Sequence, residues 1–199
     1  MQSIKNDDST STDEEIIILY KKNPEEALKI IVNRYTSSIY NFTARLANRN
    51  DAPDIVQEVF IKIWKNITYF NPLKASFKTW IFTIAKNTTT DFLRKRRSLL
   101  FSDMPTHAGG EKDDENINSF AENIPTEELL PDLVLQKLED SKFLNEVLDK
   151  LRLGYKEVLV LHYQEEMTFE EIGKILKKPL NTVKSQHRRA IMELRKILN

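Results

Sequence analysis

Between Leu180 and Ala190 the chain reads "LNTVKSQHRRA", and eight of these side chains carry hydrogen-bond donors. On a helical wheel Val183, His187, Ala190, Ile191, Leu194 and Leu198 share one face, while Asn181, Ser185, Arg188 and Arg189 lie roughly opposite, with Lys184 at the edge. An arginine fork pairs bidentately with the guanine edge in a DNA major groove, and lysine donates to the same atoms. Periodicity alone is equally satisfied by an ordinary amphipathic helix with a solvated basic face. His187 falls on the apolar side and reads as a packed, hydrogen-bonded core histidine rather than a ligand.

A second cluster stands in "TYFNPLKASFKTWIFTIAKN". Phe77, Trp80, Ile81 and Ile84 have core spacing. Tyr69 and Phe70 precede a loop, and Lys74, Lys78 and Lys86 lie nearby. Aromatic faces interleaved with cations suit unpaired bases, which stack while their phosphates are neutralised. A third cluster lies on "DAPDIVQEVFIKIWKNI". There Ile55, Val56, Val59, Phe60, Ile63 and Ile67 form an apolar stripe. Gln57, Glu58, Ile61 and Lys65 form the opposite face, with Trp64 at the boundary. Apolar anchors beside orienting polar groups suit a partner helix, although a lone exposed isoleucine usually signifies nothing.

The elements that carry these clusters read as helices throughout. Glycine is scarce, with 4 residues, and strongly alternating β-branched runs are absent, which argues against a sandwich or barrel. Asp13–Ile31 has helical spacing interrupted at "KKNPEEA", where Asn23 caps a new helix with Pro24 at its first position. A further helix runs through "IVNRYTSSIYNFTARLA", and a long one from Phe77 to Arg97. Thr168, with Glu171 three residues on, gives the capping-box signature for a short helix Phe169–Leu176. Pro179 stops that helix, and the next begins near Leu180. Two short helices in this order are the pattern of a helix-turn-helix.

Net charge over the 199 residues is zero, but unevenly spread: +5 over residues 1–97, −8 over 98–132 and +3 over 133–199. The middle segment contains "GGEKDDEN" and reads as an acidic, flexible linker. The expected architecture is all-α, with residues 1–12 a disordered N-terminus, 13–97 one helical domain, 98–132 the linker and 133–199 a second helical domain containing the helix-turn-helix. There is no cysteine, and three scattered histidines make no zinc site, so no metal or cofactor is expected. Clustered catalytic carboxylates and a phosphate loop are both lacking, which argues against an enzyme. The polar, acidic start is unlike a signal peptide, and no apolar run reaches the ~20 residues of a membrane span. The cytoplasm is the expected compartment.

"EVLVLHYQEEMTFEEIGKILKKPLNTVKSQHRRAIMELR" strongly resembles the promoter-reading C-terminal domain of extracytoplasmic-function sigma factors, most specifically in "TVKS…RA…LR". "DAPDIVQEVFIKIWKNI…F…FKTWIFTIAKN…DFLRKRR" resembles that family's N-terminal domain. The resemblance implies an alternative sigma factor that binds core RNA polymerase and directs it to a two-part promoter. It implies polymerase contacts at Asp54, Gln57, Glu58, Ile61 and Trp64. It implies capture and melting of the minus-ten element by Tyr69, Phe70, Lys74, Lys78, Lys86 and Asn87, with Arg94, Arg96 and Arg97 on duplex phosphates upstream. It assigns the minus-thirty-five element to Asn181, Thr182, Lys184, Ser185, Arg188 and Arg189. An anti-sigma factor is a further partner the resemblance allows. The chain departs from the pattern at Lys177, where a turn glycine is frequent, at His187, where an apolar residue is usual, and at Gly154, where proline is common. The alternative is a stand-alone helix-turn-helix regulator, which leaves residues 51–97 without a role.

Overall fold

The structure is a computed structural model that describes residues 12–101 and 146–198, with side chains to Ser98 in the first stretch. Among these residues every regular element is helical. The order is α1 (Asp13–Lys22), α2 (Pro24–Leu46), α3 (Ala52–Asn66), a 3-10 turn (Ile67–Tyr69) and α4 (Phe77–Phe101). Then come α5 (Leu153–Leu159), a π-turn (Val160–Gln164), α6 (Phe169–Leu176) and α7 (Leu180–Leu198). The chain divides into two compact units between Thr89 and Thr90, inside α4. Most of the expected linker, the beginning of the expected second domain and residues 1–11 lie outside the described residues.

In the first unit the helix ends follow from local chemistry. Thr12 and Glu15 form a reciprocal capping box on α1, the Thr12 amide donating to Glu15 Oε2 at 2.7 Å. Asn23 closes α1 and opens α2, accepting from the Glu26 amide with Pro24 at the first helical position. The sequence reading separated "IVNRYTSSIYNFTARLA" as a further helix, whereas α2 runs unbroken from Pro24 to Leu46. No glycine or proline interrupts it, and the Thr36 and Thr43 hydroxyls fold back onto the carbonyls of Val32 and Ile39, at 2.6 and 2.9 Å. Its buried stripe, Ile31, Tyr35, Ile39, Phe42 and Leu46, meets Ile55, Val59 and Ile63 of α3 and Ile81, Phe82 and Ala85 of α4 in the core of this unit. Phe42 and Phe82 pack edge to face at 5.5 Å. Asp13 pins α1 to α2: it accepts from Arg34 at 2.8 Å and from the Tyr35 hydroxyl at 2.7 Å. Burial and the neighbouring Asp13 carboxylate hold the Tyr35 phenol well above its ordinary range.

The long helix also outruns its expected end. It continues one turn past Arg97 to Phe101, because Ser98–Phe101 contains no breaker and the next proline is Pro105.

The second unit buries Val147, Leu148 and Leu151 with Val158, Leu159 and Leu161, and against them Ile172, Ile175, Val183, Ala190, Ile191 and Leu194. Leu198, expected on this buried face, is half-buried at the end of α7. Thr168 and Glu171 make the expected capping box on α6. The turn after α6 is tight. A Cβ on Gly173 would stand 2.9 Å from the Lys178 carbonyl oxygen, while the Lys178 amide donates to the Gly173 carbonyl at 3.0 Å. To close it, Lys177 takes the left-handed conformation, φ 55° and ψ 43°.

Candidate nucleic-acid and partner interfaces

The mixed face of α3 forms because its stripe is satisfied inside. Ile55, Val56, Val59, Ile63 and the following Ile67 are buried, whereas Phe60 is only half-buried. That leaves Asp54 and Gln57 exposed, with Ile61 at 53% and Trp64 at 58% exposure. Trp64, read from the sequence as a boundary residue, therefore stands outside and extends the apolar anchor begun by Ile61. Glu58 is half-buried and pairs with Lys62 at 2.9 Å. The same ammonium donates to the buried Thr88 hydroxyl of α4 at 3.1 Å. Lys62 thus ties the mixed face of α3 to the residue after Asn87. Sequence spacing gives no sign of this link, because its partners lie far apart along the chain.

In the second cluster the aromatic residues separate into two roles. Phe70 is half-buried, its ring 5.2 Å from Phe77 and 5.6 Å from Trp80, and Phe77 stacks on Trp80 at 5.6 Å. Phe70 therefore belongs to the wall of the loop. Tyr69 is 80% exposed, with its ring open to a stacking partner. Asn71 shapes the loop, its side-chain oxygen accepting from the Leu73 amide at 2.9 Å. Leu73, which the sequence reading passed over, stands 94% exposed beside exposed Lys74. Its apolar side chain in a "NPLK" turn was the available signal. Ser76 then starts α4 by accepting from the Thr79 amide at 3.2 Å. Lys78 and Lys86 are half-buried, the Lys78 ammonium lying 6.0 Å from the Phe82 ring centroid, and Asn87 is exposed. Arg94, Arg96 and Arg97 are exposed further along α4, and Arg94 pairs with Asp91 at 3.0 Å.

On α7, Asn181 and Lys184 are exposed, and Thr182, Ser185, Arg188 and Arg189 are half-buried. The Ser185 hydroxyl donates to the Thr182 carbonyl at 2.9 Å, which leaves its lone pairs to accept. Arg188 Nε is enclosed without a hydrogen-bond partner, and so is Gln186 Oε1, a residue the sequence reading left out. Beneath this face, His187 Nε2 meets the Tyr163 hydroxyl at 3.0 Å, among the rings of His162 and Phe169. Burial, with His162 alongside, lowers the His187 pKa to about 4, so the ring is neutral and packed. His162 is fixed in turn by the Met167 carbonyl, 2.9 Å from Nδ1.

Among the described residues no group of three or more histidines and acids could hold a metal ion, and no helix is long and apolar enough to cross a membrane.

Residues 31–99 match the family Sigma-70 region 2, and residues 147–196 match Sigma-70, region 4. The ECF RNA polymerase sigma factor SigW of Bacillus subtilis is 35% identical over 179 residues, covering 89% of this chain and 92% of that protein. The ECF RNA polymerase sigma-E factor of Haemophilus influenzae is 28% identical, covering 90% of this chain and 91% of its own. Among solved structures, CnrH in complex with the cytosolic domain of CnrY shares the fold with a TM-score of 0.64 at 21% identity, over 94% of this chain and 96% of that one. The sigma factor RpoE in complex with the anti-sigma factor NepR, from Bartonella quintana, gives 0.61 at 22% identity, over 85% and 95%.

Proposed function

Because the chain belongs to the ECF RNA polymerase sigma factors, we propose that its three surfaces divide one task, promoter-specific initiation, among polymerase, the minus-ten element and the minus-thirty-five element. The protein is an alternative sigma factor whose partners are core RNA polymerase and promoter DNA. The observation that carries the assignment of surfaces is the exposed Ile61 and Trp64 beside Gln57 and Glu58 on α3, in one chain with the basic face of α7 that bears Lys184, Arg188 and Arg189. A stand-alone DNA-binding regulator has no use for the first of these.

Asp54, Gln57, Glu58, Ile61 and Trp64 dock on polymerase, with Ile61 and Trp64 as desolvated anchors. Tyr69 stacks on an unpaired base, Lys74, Lys78 and Lys86 neutralise nearby phosphates, and Asn87 reads a base edge. Phe70 shapes the loop from behind. Arg94, Arg96 and Arg97 meet duplex phosphate. Asn181, Thr182, Lys184, Ser185, Arg188 and Arg189 enter the major groove of the upstream element. Nucleotide addition belongs to the polymerase, and the protein works beside it in the cytoplasm. An anti-sigma factor, as NepR is for the solved RpoE of like fold, is the expected restraint.

The test is transcription by purified core polymerase with and without this chain, with start sites mapped. Initiation at a defined set of two-part promoters only when the chain is present is the expected result. Binding to promoter DNA with no association with polymerase would overturn it in favour of the stand-alone regulator.

A further inference from the structure

The turn between α6 and α7 carries three lysines that the promoter-reading surface does not use. Lys174 is in the last turn of α6, and Lys177 and Lys178 form the turn itself. Gly173 lets the chain turn sharply here, since a Cβ at that position would collide with the Lys178 carbonyl. The left-handed residue this demands is Lys177, at φ 55°. Glycine adopts that conformation without strain and lysine does not. A strained lysine at a position that glycine fits better points to a use for its side chain. Lys174 and Lys177 are exposed and Lys178 is half-buried, and among the described residues none of the three makes an ion pair. With Glu170, Gly173 and Leu180 they line an open cleft. The first turn of α7 begins in that cleft, and its amides add partial positive charge. One carboxylate residue, Glu170, lines the cleft with the three lysines, so its lining is net positive.

We propose that Lys174, Lys177 and Lys178 grip the sugar–phosphate backbone of duplex DNA beside the groove that α7 enters. The proposal rests on the reading of α7 as the recognition helix. The lysines lie at the same N-terminal end of α7 as Asn181 and Lys184. A helix inserted by that end brings its preceding turn to the wall of the groove, where phosphates stand. The grip is blind to sequence and adds affinity equally at every site.

Lys177→Gly is the informative variant, because glycine relieves the strain while removing the cation. In the full chain the thermal midpoint should stay or rise. In holoenzyme, affinity for promoter duplex and for the same duplex with a scrambled upstream element should fall together, by roughly three- to tenfold. The slope of log affinity against log salt should flatten by about 0.9 for each phosphate that is no longer neutralised. Adding Lys174→Gln and Lys178→Gln should flatten it further. Unchanged affinity and slope in the triple variant would overturn the proposal, as would a loss confined to the promoter sequence. A loss of polymerase affinity with the DNA slope intact would overturn it too, by naming an acidic protein face as the partner. Arg188→Ala and Arg189→Ala, tested on the same duplexes, separate the two levels. If they leave promoter preference intact the recognition-helix reading fails, whereas the salt slope on scrambled duplex judges the lysines independently.

Discussion

Arg188 and Arg189 sit side by side on α7 in different surroundings. Arg188 keeps its Nε enclosed and without a partner, which fixes the direction of its guanidinium more than a solvated arginine's would be. Arg188→Ala and Arg189→Ala should each cost about 1–3 kcal/mol of promoter binding if they reach base edges, with relaxed preference at particular upstream positions. Competition between promoter variants measures this, and a uniform loss across sequences would mark phosphate contacts instead. His187 acts one layer down. Folding holds it near pKa 4, below its ordinary 6.5, so between those values the unfolded chain binds more protons than the folded one. Its contribution is whole above about pH 6.5 and is lost as pH falls toward 4, amounting to about 1–2 kcal/mol between pH 7 and pH 5 after allowance for partial exposure. Urea midpoints measured at both values should fall less in His187→Gln than in the wild-type chain. Equal falls would show that the ring does not titrate this way.

At the level of elements, α3 gives the sharpest test. Replacing Gln57, Glu58 and Ile61 together with alanine leaves the buried stripe untouched, so the fold should persist by circular dichroism. Affinity for core polymerase should drop at least tenfold, about 1.4 kcal/mol. An undiminished affinity would move the docking surface elsewhere. The starts of α6 and α7 were readable in the sequence because caps and breakers are local chemistry: Thr168 with Glu171, and Pro179, each act within a turn of their own position. The continuity of α2 was hidden, since the spacing up to Ile31 and that of "IVNRYTSSIYNFTARLA" read as two helices and no local signal joins them. The Lys62 bridge to Thr88 was hidden as well, because pairing between α3 and α4 depends on how the unit packs. The resemblance pointed to Lys177 as a departure, but only the backbone reveals the strain it carries. Thr168→Ala, which removes the cap of α6, should lower the stability of the full chain by about 1 kcal/mol, read as a shift in the urea midpoint.

For the whole molecule, charge is zero in sum and divided in place, so the free chain lacks the net attraction for DNA that a basic protein has. Tethering makes weak contacts sufficient, because a unit brought to the promoter by its neighbour acts at high effective concentration. Cutting the chain within residues 102–132 should therefore lower promoter occupancy by polymerase at least tenfold, even with both pieces present, in footprinting at fixed concentration. Undiminished occupancy would mean each unit holds the promoter unaided. The π-turn at Val160–Gln164, closed by the Glu165 amide on the Val160 carbonyl at 3.2 Å, has a consequence in heredity. It holds one residue more than an α-helical turn would. An in-frame loss of a single codon there would restore ordinary winding with the two ends of the turn close to their present register, whereas a loss from the α-helix before it would swing everything downstream by about 100° around the helix axis. In that second case Met167 would leave its buried place, and α7 would leave its register with α5. Descendants of this gene should therefore tolerate a one-residue change of length at the π-turn sooner than in the helix before it.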